Sequence, residues 1–168
     1  MTRIWTENGF ADSDAWIVET DEQKAGEGQR PLLDLEAFLA AASDTNDGDF
    51  GVLLKPADDV RRLAPHLDRL ALVAVAFPAF NDGRGFSQAS LLRDRLGYQG
   101  ELRAVGDVLI DQIPLMQRTG FDSFAVTNAT ALKRLADRHL TGIAEHYQPA
   151  ARGDGEAGAY SWRRRAAV

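Results

Sequence analysis

The densest grouping of chemically useful side chains in the sequence is Asp82-Gly83-Arg84-Gly85, directly after the apolar run Leu70 to Phe77. Arg84 offers a planar fork suited to a bidentate oxyanion, and two glycines let the backbone turn tightly and approach a ligand. A helix expected to start near Ser87, with that serine as N-cap, would add its positive end to an anion site. The competing reading is a plain glycine turn in which Arg84 pairs with Asp82 or Asp107. Gly106-Asp107 is the second grouping. Its carboxylate suits a general base or a clamp on a substrate hydroxyl, and equally a cap for the next helix or a partner for Arg84. Lys55, Asn81, Asp111, Gln112, Thr127 and Asn128 also follow apolar runs.

A sheet of parallel strands would carry all these residues to one place. Ile4-Trp5 and Phe10 flank Asn8-Gly9, a hairpin signal, and Asp14 to Thr20 is the next strand candidate, so residues 1–33 read as a small β-rich entry. Residues 21–30 are polar and read as a loop. Leu35, Phe38 and Leu39 recur at helical spacing with Asp34 placed to cap them, and residues 43–48 break the pattern. Apolar runs at 50–54, 70–77, 101–105 and 123–126 then alternate with helical patterns. These helices are expected after Val60, with Pro65 as a kink, from Ser87, over 109–118, and from Thr127-Asn128 to about Tyr147. Leu91, Leu92 and Leu96 fall on the buried face of the Ser87 helix, and Arg93, Asp94 and Arg95 on the outer one.

Such a rhythm predicts an α/β fold with a mostly parallel sheet and right-handed crossovers. The sheet either stays open, as in flavodoxin-like folds, or curls like half a TIM barrel. Residues 1–148 read as a single domain, with 149–168, which carry Trp162 and three arginines, as a mobile tail. Ligands of parallel α/β folds sit beyond the carboxyl ends of the strands. The expected substrate-binding rim is therefore Lys55, Asn81, Asp82, Gly83, Arg84, Gly85, Gly106, Gln112 and Asn128, with Arg84 and Asp107 as the catalytic pair of an enzyme. Arg103, inside a strand, reads as an ion-pair partner of Glu101 or of a helix residue.

Composition narrows the function. A net charge of -6 disfavours nucleic acid or an anionic membrane as the main partner. No apolar run approaches the ~20 residues that span a bilayer. The N-terminus lacks an apolar signal core, and the expected location is the cytoplasm. With no cysteine, there is no disulfide, thiol nucleophile or thiolate ligand for an iron–sulfur cluster. The histidines His66, His139 and His146 have no metal-site spacing, so no metal site is expected. Phe77, Phe80, Phe86, Phe121 and Phe124 read as packing, although a flavin leaves little trace in sequence. No cofactor is named by the sequence.

The stretch from Phe80 through Asn81-Asp-Gly-Arg-Gly85, Leu91-Leu-Arg93, Leu96-Gly-Tyr-Gln-Gly-Glu101 and Gly106-Asp107 to Arg118-Thr-Gly-Phe-Asp-Ser-Phe124 resembles a bacterial domain-of-unknown-function family, number nine-three-four. Its members are commonly labelled oxidoreductases linked to sulfite reduction, because their genes neighbour those of assimilatory sulfite reductase. At Thr119 the family pattern often has cysteine, so the departure implies that no thiol there is essential. The resemblance implies an accessory of sulfite reduction that meets the reductase or presents it with a small anion. A pathway enzyme using Arg84 and Asp107 on an anionic substrate is the second reading, and a flavodoxin-like flavin holder the third.

Overall fold

The computed structural model describes residues 2–19, 24–44, 50–79 and 81–137. The end of the last expected helix, His139, His146, Phe80 and the tail with Trp162 lie outside the described residues, as do parts of the 21–30 and 43–48 segments. The chain forms an α/β structure around one eight-stranded sheet. Its strands are β1 (Arg3–Thr6), β2 (Gly9–Phe10), β3 (Trp16–Val18), β4 (Arg30–Asp34), β5 (Phe50–Leu54), β6 (Leu70–Phe77), β7 (Glu101–Gly106) and β8 (Ser123–Val126). The helices are α1 (Leu35–Asp44), α2 (Arg84–Ser90), α3 (Ile113–Thr119) and α4 (Ala129–Ala136). A 3₁₀ helix covers Val60–Arg69, and a π turn, Leu91–Arg95, continues α2.

The spatial order is β2-β1-β8-β7-β6-β5-β4-β3. From β3 to β8 every neighbouring pair is parallel, whereas β1 pairs antiparallel with both β2 and β8. The sheet is therefore mixed, not mostly parallel as the strand–helix rhythm alone suggests. The N-terminal hairpin is short enough to close with a tight turn, and it docks against the last strand instead of extending the crossover series. Because the parallel strands follow in consecutive order, there is no reversal of the kind that marks a doubly wound sheet. Right-handed crossovers in a consecutive series put every helix on the same face. One large core accordingly joins Phe38, Leu63, Ala89, Leu92, Met116 and Leu135 of the helices to Val52, Val75, Phe77, Leu102 and Phe124 of the strands.

The other face is crossed by the link between β2 and β3, which lie at opposite edges. Phe10 and Trp16 are six residues apart, a reach of at most ~22 Å, yet seven flat strand spacings would need ~34 Å. A flat sheet cannot satisfy both, so the sheet curls with the link on its concave side. Asp14, within the link, receives a 2.8 Å hydrogen bond from Arg103 Nη1 on β7. Trp16 lies over Gly51, where a Cβ would come 2.5 Å from the indole ring, and Arg30 stacks on the same ring at 4.2 Å. Leu32, Leu72 and Ala74 are buried beneath this cover.

Several local expectations shift. β4 is not singled out by the sequence, which puts Arg30 at the end of a loop, Asp34 at a cap and the residues between at the end of the β-rich entry. Arg30 and Pro31 give it a polar, proline-containing start that hides a strand paired on both sides. Asp34 nonetheless caps α1, accepting from the Ala37 N–H at 2.9 Å. The Val60 helix winds as a 3₁₀ helix around Pro65, which has no N–H for an α-helical bond. α2 starts at Arg84 instead of Ser87, with Gly83 at the cap position. α3 starts at Ile113 instead of Leu109, since Pro114 suits only the first turn of a helix. No helix among the described residues is long and apolar enough to cross a membrane.

Arg93 departs furthest. The sequence places it outside, but its side chain is only 6% exposed. The π turn, closed by Leu96 N–H to Leu91 carbonyl at 3.0 Å, inserts an extra residue and rotates Arg93 inward. There it donates to the carbonyls of Gly120, Tyr98 and Gly100 and to Asp122 Oδ2 at 2.6 Å. Burial pushes the neighbouring Tyr98 phenol above its ordinary range.

Candidate functional site

The parallel strands deliver their carboxyl ends to one edge, and the expected site residues line that rim in strand order. Asp34 closes β4, Lys55 follows β5, residues 81–85 follow β6, Gly106 and Asp107 end β7, and Asn128 follows β8. Phe77 connects the two central turns. Its ring occupies the space a side chain at Gly85 would need, with a Cβ there falling 2.6 Å from the ring, and it packs edge-on against Phe86. Its carbonyl accepts the Asp107 N–H at 2.7 Å. Gly106 must turn through a positive φ of 99° to make that bond, and a Cβ would meet the Phe77 oxygen at 2.3 Å. Gly106 is thus required by the rim's backbone, and Gly85 by the packing of α2 on β6.

Arg84 and Asp82 take each other as partners. Nε donates to Asp82 Oδ1 at 2.9 Å and Nη2 to Oδ2 at 2.7 Å, while the Arg84 N–H adds a 3.2 Å bond to Oδ1. The hydrogen bonds from Arg84 hold the Asp82 carboxyl below its ordinary range and raise the guanidinium. The Arg84 side chain is 62% exposed. Since the Nε edge of the fork faces Asp82, an incoming oxyanion approaches the other edge or exchanges with the carboxylate.

Lys55 Nζ is 3.7 Å from Asp34 Oδ2, and its N–H donates to Asp58 Oδ2 at 2.7 Å. Gln88, one turn beyond Arg84, fastens this loop to α2. Its Nε2 donates to the carbonyls of Lys55 at 2.8 Å and Asp58 at 3.2 Å. Gln88 is 6% exposed, and its Oε1 is buried without a partner among the described residues. Asn81 and Gly83 are exposed at the turn, Asp107 and Asp111 are exposed on the next one, and Gln112 is half-buried at the start of α3. Asn128 caps α4 by accepting the Ala131 N–H at 3.0 Å. Arg103 lies away from the rim, bonded to Glu101, Ser123 and Asp14.

Sequence reasoning missed Asp58 and Gln88, and read Asp34 only as a helix cap. Gln88 alone left a signal, its four-residue spacing from Arg84 on one helix face; the two aspartates needed β4 and the Lys55 turn to be known. What the rim presents is two cations, each already facing a carboxylate, together with exposed amide and carboxylate groups. Such a surface suits exchange of a small anion, or docking of a partner that supplies its own charges. Among the described residues no group of three or more His, Asp or Glu side chains is arranged to hold a metal ion.

Over residues 51–157 the sequence matches the family model described as "Bacterial protein of unknown function (DUF934)". The matched stretch covers more than half of the chain and contains every rim residue from Lys55 to Asn128, and the protein belongs to that family. Neither curated proteins nor solved structures gave a match.

Proposed function

We propose that the protein is a cytoplasmic accessory of assimilatory sulfite reduction that presents a small oxyanion, or the rim itself, to the reductase. The pathway comes from the labelling of the family it resembles. The observation that carries the molecular role is the position of Arg84, exposed at the carboxyl edge of the parallel strands beside Lys55. Asp82 keeps the guanidinium oriented in the absence of an anion, and the bidentate grip available to Arg is the geometry that sulfur oxyanions accept. With no cysteine in the chain, electrons for sulfite come from a bound cofactor or from the partner, and the accessory reading takes the partner. An accessory role fits that division of labour.

The test is reconstitution with purified sulfite reductase, reading complex formation and turnover with and without the protein. The expected result is a complex whose turnover rises with added protein and does so less with Arg84→Ala. Absence of both binding and any change in turnover would sink this reading.

A further inference from the structure

We infer that the groove between α2 with its π turn and α3 is a self-association surface whose occupant is a second copy of this chain. The groove has a volume of about 650 Å³ and is lined by Phe86, Leu91 and Leu115 together with two serines and Thr119, with exposed Asp94 and Arg95 on its lip. Leu115 is 40% exposed, one of two large apolar side chains left exposed among the described residues. Large apolar side chains set among polar and charged ones are the ordinary anatomy of a protein–protein contact.

The charges on the lip identify the occupant. Arg84 and Arg93, earlier on the same helical stretch, are matched within the chain, to Asp82 and Asp122. Asp94 and Arg95 are exposed and form no ion pair among the described residues. They are consecutive and opposite in sign. A two-fold contact is self-complementary, so the patch must match its own image. An Asp–Arg pair does this: Asp94 of one copy faces Arg95 of the other, and the reverse contact forms across the axis. The lip carries no net charge, which lets two chains of net charge -6 meet there without local repulsion. The π turn that rotates Arg93 inward leaves these two residues outside, so one backbone feature sets both the buried clasp and the outer surface.

Sedimentation equilibrium on the full chain tests the inference. Wild type is expected at twice the 18.4 kDa chain mass. Asp94→Arg and Arg95→Asp alone each place like charges together and should halve that mass, and the double swap should restore it. Leu115→Glu should also give monomer, with an unchanged far-UV spectrum. A wild type that stays monomeric up to its solubility limit would overturn the inference, leaving the groove to another partner. So would a dimer indifferent to Leu115→Glu, or one not recovered by the double swap.

Discussion

Asp82 and Arg84 hold each other through two parallel N–H···O bonds, and Phe77 holds the turns on either side of them through its ring and its carbonyl. Since the Asp82 carboxyl titrates below its ordinary value, the pair is complete at neutral pH. Its contribution is lost only as pH falls below the usual aspartate range, ~4, and through the lowered value. Carboxyl NMR titration should show Asp82 returning upward to the ordinary range in Arg84→Ala. Gly106→Ala should destabilise by more than ~1 kcal/mol, because the new Cβ meets the Phe77 oxygen and the backbone sits at a positive φ. Arg93→Ala removes a buried cation with four protein acceptors and takes the ion-pair partner from Asp122, which keeps the Leu102 N–H; a loss of about 3–5 kcal/mol in urea unfolding is expected.

At the scale of elements, the link carrying Asp14 and the ring of Trp16 roof the concave face, and Gly51 gives the indole its seat. Asp14→Ala should cost about 1–3 kcal/mol by leaving the buried Arg103 with fewer acceptors. Hydrogen exchange should then quicken in β3 before it does in β6. How far the sequence foretold these elements depended on whether a signal was local. β5 to β8 announce themselves as apolar runs, and Asn8-Gly9 as a hairpin. β4 does not, because Pro31 and its polar neighbours argue against a strand that only the flanking β3 and β5 can stabilise. The rim followed from parallel order once the strands were located, so Lys55, Arg84, Gly106 and Asn128 were legible as a line of residues. Their partners were not, since Asp34–Lys55, Gln88–Lys55 and Phe77–Asp107 each join separate segments. The inward turn of Arg93 was hidden for another reason: a π turn breaks the 3.6-residue period from which faces are read.

For the whole molecule, an acidic chain without cysteine carries a rim of paired charges and, between α2 and α3, a part-apolar groove. The rim is the proposed meeting point with sulfite reduction, and the groove the proposed contact between copies. They use different residues, so Leu115→Glu should change mass without abolishing rescue by the rim. The measurement bearing most directly on function is growth of a deletion strain on sulfate, sulfite or sulfide as sole sulfur source, complemented by wild type or Arg84→Ala. The account predicts failure on sulfate and sulfite, growth on sulfide, full rescue by wild type and impaired rescue by the variant. Normal growth of the deletion strain on all three sources would contradict it.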